Sequence, residues 1–375
     1  MRVGIPKERR EHESRCAASP ETVKKLAGMG LEVAVERGAG AGAAISDQAF
    51  ADAGGTLVDS AAEAFAGEVV LKVQRPTDAE MAMLKPGQIL VGMLDPYMNK
   101  EQVEAYGKAG VAAFALELLP RTTRGQAMDV LSSQANLAGY KAVIDAMAAY
   151  SRVLPMMMTA AGTVTPAKIF ILGAGVAGLQ AIATARRMGA VVTATDVRPA
   201  AKQEIESLGA KFVGFIPEGA ATAGGYARPL TPEEQAKQAE MVAEHLKTQD
   251  IVITTAQVPG RKAPRIITAA MVASMKPGSV VLDMAAESGG NVEGSEPGGT
   301  VQAGHVTIVG ARNLPARLAP ATTVLYAKNL LNFMGLLVKK GPELVIDTND
   351  DLVAGTLLTK DGQVVHKNFI PAAAA

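Results

Sequence analysis

The segment Lys168–Leu172 (KIFIL) runs directly into Gly173-Ala174-Gly175-Val176-Ala177-Gly178, and a helix-forming stretch follows. An apolar run meeting three glycines at this spacing, then a helix, reads as the phosphate turn of a dinucleotide-binding βαβ unit. Gly173 is placed for the tight turn, Gly175 for close approach of the backbone to a pyrophosphate, and Gly178 for helix-strand packing. Val176 and Ala177 open the helix, whose free N–H groups and dipole would face the phosphates. Asp196 ends the next strand at about the expected ~20-residue spacing, positioned with Val197 to meet the adenosine ribose. A carboxylate there repels a 2′-phosphate, which favours NAD over NADP. Arg198, two residues on, could in principle bind a phosphate and invert that choice; Asp196 outweighs it because it stands at the strand end itself.

The same alternation of short apolar runs and amphipathic segments extends along the chain. Strands are predicted at Val3–Pro6, Leu31–Val35, Val69–Val73, Ile89–Leu94 and Val111–Leu116. A second set follows at Ile169–Leu172, Val191–Thr195, Phe212–Phe215, Ile251–Thr255, Val280–Asp283 and Val306–Val309. Ser19-Pro20-Glu21 and the capping box Thr231–Glu234 start helices, the second running to about Lys247. Ser132 to Tyr150 reads as a helical connector, and Thr323 to Lys340 as an amphipathic return helix. Asp361-Gly362 between Val353–Thr359 and Gln363–His366 signals a hairpin. The resulting fold class is α/β: two Rossmann-like, doubly wound domains with mostly parallel sheets and a cleft between them. The N-terminal domain takes 1–131, completed by 324–375; the dinucleotide domain takes 132–323.

Composition narrows the function classes. Lys+Arg and Asp+Glu are both 37, so no basic excess points to nucleic acid or an anionic membrane. Cys16 is the single cysteine and the four histidines are scattered, so a Cys or His metal site is not expected. The start, MRVGIPKERR, has no signal-type apolar region. Ile169–Ala185 is the longest charge-free apolar stretch, and the glycine motif inside it favours strand, turn and helix over a membrane span.

Hydride chemistry on an alcohol or amine also moves a proton, which calls for a positioned acid or base. Lys72 and Arg15 are available, but no histidine lies near a predicted strand C-terminus. The segment from Glu117 to Gln134 is the most unusual one, with Arg121, Arg124, Gln126, Asp129, Ser132 and Ser133 crowded at the domain junction. Arg121 and Asp129 could pair to hold a loop over a cofactor, and Gln126 and Ser132 suit a carboxamide. An interdomain hinge wired by polar contacts is the plainer alternative.

The runs PRTTRGQAMDVLSSQANLAGY, TAAGTVTPAK, GAGVAGLQAIATA, GGYARP, TTAQVPGRKAP and MKPGSVVLDMAAESGGN resemble the NAD(H)-binding component of proton-translocating nicotinamide nucleotide transhydrogenases. The resemblance covers nearly the whole chain. It implies direct, stereospecific (Si-specific/Re-type) hydride transfer between NADH here and NADP(H) bound by a partner subunit, coupled to proton translocation by a membrane-spanning subunit. Arg121, Gln126, Asp129 and Ser132 would then form the loop at the nicotinamide. Tyr226 would lie on a loop closing over the nucleotide, Asp196 would bind the ribose, and Ala256 and Gln257 would contact the dinucleotide. The resemblance further implies a homodimer, with the C-terminal hairpin a contributor. The chain looks like a separately encoded subunit, cytoplasmic and held at the inner membrane through its partners without inserting itself; fused versions continue into membrane helices.

Alanine dehydrogenase is a related family with a similar start and glycine loop. Arg15 and Lys72 stand where its substrate-binding arginine and lysine would fall. Its catalytic histidine is replaced around Leu94-Asp95, and its later carboxylate by Glu287. That comparison makes Arg15 and Lys72 inherited polar core residues. A non-catalytic NAD-binding module, regulated through the Tyr226 loop, is the remaining alternative.

Overall fold

The computed structural model describes residues 1–216, 231–257, 260–338 and 343–370. The chain divides into two compact units: Met1–Gln134 with Pro315–Ala375, and Ala135–Leu314.

The first unit is built on β1 (Arg2–Ile5), β2 (Glu32–Glu36), β3 (Thr56–Val58), β4 (Val69–Gln74), β5 (Ile89–Met93) and β6 (Ala112–Ala115). All pair in parallel, in the order β3-β2-β1-β4-β5-β6. Helices cover both faces, so the central strands are apolar along their whole length, as VVLKV in β4 is except for Lys72. Ser19 caps the helix Pro20–Gly28 as expected, its hydroxyl accepting from Thr22 N at 3.3 Å. The return helix, Ala319–Leu337, seals one face with Tyr326, Leu330, Phe333 and Leu337 fully buried. Each such apolar side chain contributes roughly 1.5–3 kcal/mol. Tyr326 also donates from Oη to the Lys72 carbonyl at 2.8 Å, joining that helix to β4.

The second unit opens with a hairpin of β7 (Met157–Thr159) and β8 (Gly162–Val164). Its main sheet comprises β9 (Lys168–Leu172), β10 (Val191–Thr195), β11 (Lys211–Phe212), β12 (Ile251–Thr254), β13 (Val280–Asp283), β14 (Thr300–Ala303) and β15 (Val306–Gly310). The order is β11-β10-β9-β12-β13-β15-β14, parallel except for β14. Both sheets therefore carry the doubly wound Rossmann strand order, with the direction of winding reversing beside the first strand. In the second unit the reversal falls between β9 and β12.

Several expectations need correction. The strand expected over Phe212–Phe215 stops at Phe212, and Gly214 follows with φ of +141°. The run Val353–Thr359 is not one hairpin arm. Asp350 caps a helix over Asp351–Thr356, accepting at Oδ1 from Leu352 N at 2.9 Å, and buries Leu352, Val353 and Thr356 on one side. The hairpin itself is short, β16 (Thr359–Lys360) with β17 (Gln363–Val364), turned by Asp361 (φ +50°) and Gly362 (φ +79°) as the Asp-Gly pair requires. Thr231 and Glu234 form the expected capping box, with Thr231 N donating to Glu234 Oε2 at 2.8 Å.

Candidate functional site

Within the second unit, the turn after β9 explains each of its glycines separately. Gly173 has φ of +100°, and a Cβ there would sit 2.4 Å from Thr255 Oγ1. A Cβ on Gly178 would lie 1.9 Å from the Gly173 carbonyl oxygen, so the helix Val176–Arg187 can reach the strand only with glycine at that point. A Cβ on Gly175 would meet nothing within 4 Å. Gly175 is the N-cap residue and supplies no side-chain cap, while Val176 is exposed and Ala177 half-buried beside it. The helix thus presents its first N–H groups to open space.

Asp196, one residue past β10, faces the same turn. Its Oδ2 accepts from Ala174 N at 2.7 Å, and its Oδ1 accepts from Arg198 N at 2.8 Å and Arg198 Nε at 3.2 Å. Arg198 also donates from Nη2 to the Ala174 carbonyl at 2.8 Å and approaches Glu204 at 3.4 Å. Its charge is therefore shared between two carboxylates. Val197 is half-buried between the two. Ala256 and the exposed Gln257 follow β12 on the other side of the turn, with Gln257 Nε2 donating to the Met284 carbonyl at 3.2 Å. Gly173–Gly178, Asp196–Arg198 and Ala256–Gln257 thus lie together at the C-terminal edge of the sheet, around its switch point. Open α/β sheets bind ligands at that place. Tyr226 lies outside the described residues.

Within the first unit, Arg121 and Gln126 are exposed. Both oxygens of Asp129 accept from Ser132, from its N at 2.9 Å and its Oγ at 2.5 Å, which ties off the start of the helix Val130–Ala149. Arg124 forks onto Asp350 at 2.6 Å through each terminal nitrogen and also reaches Asp351. These hydrogen bonds push the guanidinium pKa up and hold the Asp350 carboxyl at about 2. Sequence reasoning included Arg124 in the segment without a role. Its role is to anchor that segment to the start of the Asp351–Thr356 helix.

The two residues that an amino-acid oxidoreductase would need are already engaged. Lys72 Nζ is 2.8 Å from Glu80 and 3.2 Å from Glu8, and all three side chains are buried. Burial raises the Glu8 carboxyl pKa, against the opposing pull of Lys72. The Arg15 guanidinium is 3% exposed; it donates to Glu13 at 2.8 and 2.7 Å and to Gln134 Oε1 at 2.8 Å. Burial alone would raise the Glu13 carboxyl, but hydrogen bonds from Arg15 and Gln74 overcome it and hold the pKa at about 2. Asp95, near where a catalytic histidine would be sought, sits at φ +47° with its N–H donating to Glu117. Glu287 accepts from Asn313 N at 2.8 Å. Three histidines have structural partners: His245 on Thr193 Oγ1 at 2.9 Å, His305 on the Met275 carbonyl at 2.8 Å, and His366 on the Gly355 carbonyl at 3.2 Å.

The N-terminal and C-terminal domains described as alanine dehydrogenase/PNT match residues 4–138 and 142–367. The chain is 52% identical to an NAD(P) transhydrogenase subunit alpha of Rhodospirillum rubrum, covering 98% of each. A solved transhydrogenase from Sinorhizobium meliloti is 53% identical and superposes with a TM-score of 0.89, over 97% of this chain and 100% of that one. A solved L-alanine dehydrogenase superposes with a TM-score of 0.82 at 27% identity, over 98% of both chains. Among the described residues, no helix is long and apolar enough to cross a membrane.

Proposed function

Because the chain belongs to the alanine dehydrogenase/PNT family, its function turns on which of two chemistries its polar residues fit, and we propose that it is the NAD(H)-binding subunit of a proton-translocating transhydrogenase. The observation that carries this reading is the burial of Lys72 between Glu8 and Glu80, with Arg15 likewise held by Glu13 and Gln134. Groups committed to internal ion pairs are poor ligands for an amino-acid carboxylate, since binding it would strand buried glutamates. The 52% identity to a transhydrogenase subunit against 27% to an alanine dehydrogenase points the same way.

The residues present fit a dinucleotide. The open space at Gly175 accommodates a pyrophosphate at the helix N-terminus, and Asp196 accepts from the adenosine ribose. Arg198 is drawn back onto Asp196 and Glu204, which supports NAD(H) over NADP(H) in this chain. Bound there, NADH supplies a hydride, and the acceptor is NADP(H) carried by a partner subunit. Passing a hydride between two nicotinamides leaves no oxygen or nitrogen to protonate at the reacting centre, so alignment and exclusion of water are what the chain must provide. Arg121, Gln126, Asp129 and Ser132 serve at the nicotinamide. Ser132 Oγ donates its proton to Asp129, which orients the oxygen to accept from a carboxamide N–H. Tyr226 belongs to a loop closing over the nucleotide.

The working unit is a homodimer joined to an NADP(H)-binding subunit and a membrane-spanning subunit, at the cytoplasmic face of the inner membrane. The hairpin of β7 and β8 supports the dimer: Met156, Met157, Met158 and Val164 are all exposed on it. The C-terminal hairpin offers less, since Thr359 is buried and donates to the Val111 carbonyl at 2.7 Å. Reconstitution tests the assignment. NADH oxidation should require the NADP(H)-binding partner and an oxidised NADP analogue; turnover by the chain alone with pyruvate and ammonium would sink it.

A further inference from the structure

The side-chain amide of Asn291 ties together two backbone positions that follow β12. Its Oδ1 accepts from Ala256 N at 3.1 Å, and its Nδ2 donates to the Ala256 carbonyl at 2.9 Å and the Pro264 carbonyl at 2.8 Å. One N–H and two carbonyls around it determine which way the amide points. The main-chain oxygen of Asn291 accepts from Ile266 N at 2.8 Å and Ile267 N at 2.9 Å. The residue is fully buried, so water cannot replace these bonds.

The residues before it explain how an asparagine comes to sit there. Gly289 and Gly290 have φ of +106° and +77°, and a Cβ on Gly290 would lie 2.9 Å from Asp283 Oδ2. The double-glycine turn delivers Asn291 inward. Asp283, also buried, holds the turn by accepting from Val292 N at 3.1 Å, and holds β12 through Thr254 Oγ1 at 3.2 Å. The clamped backbone adjoins the glycine turn: Thr255 Oγ1 donates to the Gly173 carbonyl at 3.1 Å.

We propose that Asn291 is a positioning residue for the dinucleotide, holding Ala256 and Pro264 in their binding geometry before the ligand arrives. Ordering that backbone then takes place on folding, and binding does not have to supply it. The inference rests on the reading of this sheet edge as the NAD(H) site. The residue type follows from the three partners. Aspartate would keep the acceptor but turn a carboxylate towards two carbonyl oxygens. Leucine would fill the space and leave three buried backbone groups unpaired.

The test uses the full chain, with NADH fluorescence titration of the wild type, Asn291→Asp, Asn291→Leu and Asp196→Ala, followed by the reconstituted reaction. Both Asn291 variants should weaken NADH binding by about tenfold or more. Their KM for NADH should rise by more than kcat falls. A loss of kcat with KM unchanged is what mere loss of folded protein produces, and it would overturn the proposal. So would normal NADH binding by both variants while Asp196→Ala binds weakly. If the wild type binds no NADH, or Asp196→Ala binds as the wild type does, it is the site itself that fails. Amide hydrogen exchange of the wild type needs no variant to fold: without NADH, the Ala256 amide should be protected about as well as that of Ile253. Rapid exchange at Ala256 until NADH is added would show that the clamp does not preorganise the site.

Discussion

Lys72 Nζ lies 2.8 Å from Glu80 Oε1, and neither side chain touches solvent. With Glu8 at 3.2 Å on the other side, one ammonium holds two buried carboxylates. Lys72→Met should therefore destabilise the first unit by about 3–5 kcal/mol, because it leaves both glutamates without their cation. Urea unfolding measures this. The triple variant Lys72→Met, Glu8→Gln, Glu80→Gln should recover much of the loss, and a Lys72→Met protein as stable as the wild type would contradict the account.

Gly175 and Gly178 are three residues apart and should fail in different ways. Gly178→Ala drives a Cβ into the Gly173 carbonyl and should lower both the unfolding temperature and NADH affinity. Gly175→Ala meets no atom of the chain, so stability should hold while NADH affinity falls at least about tenfold, a loss of ~1.4 kcal/mol. Calorimetric unfolding and NADH titration on the two variants separate the effects.

Gln126 is exposed and assigned to alignment at the nicotinamide. Gln126→Asn shortens the side chain by one methylene and keeps its chemistry. Single-turnover kinetics with the partner subunit should show the hydride-transfer rate falling far more than NADH affinity. Equal losses in the two quantities would contradict the alignment role.

Burial raises the Glu117 carboxyl to a pKa of about 7, and its Oε2 is sealed from solvent without a hydrogen-bond partner. A carboxyl whose folded pKa is raised binds its proton more tightly in the folded state. Its contribution to stability is full below the unfolded value of 4.5 and is lost as pH rises towards about 7. Glu117→Gln should remove that slope. Denaturant unfolding at pH 5 and pH 8 should show the variant gaining relative to the wild type at the higher pH; parallel behaviour at both would refute the assignment.

Met158 is 78% exposed at the tip of an apolar hairpin. If that hairpin joins two copies, Met158→Lys should shift the chain from dimer towards monomer in sedimentation experiments while leaving NADH binding by the isolated subunit intact. An unchanged dimer would move the interface elsewhere.

What could be read beforehand was whatever depends on neighbours in sequence. The glycine turn, Asp196 at the strand end, the Thr231–Glu234 capping box and the Asp361-Gly362 turn all follow from local backbone sterics and hydrogen bonding. The engagement of Arg15 and Lys72 was suspected only through a family resemblance. Its physical cause lies in Glu80 and Gln134, and the Arg15–Gln134 contact spans 119 residues. Asn291 gave no local signal of its clamp, because Ala256 and Pro264 lie some thirty residues earlier. The helix at Asp351–Thr356 was misread because Val353–Thr359 has strand-like composition, and Asp350 together with the Arg124 anchor decides the matter.

The return of residues 315–370 to the first sheet has a consequence during synthesis. Ala135–Leu314 is continuous, so the second unit can fold as soon as it clears the ribosome. The first strand, Arg2–Ile5, emerges earliest but belongs to a core that lacks Tyr326, Phe333 and Leu357 until the last segment has been made. The oldest part of the nascent chain must therefore wait, with apolar strands exposed, for the youngest. In the cell, that interval is when this subunit most needs a chaperone.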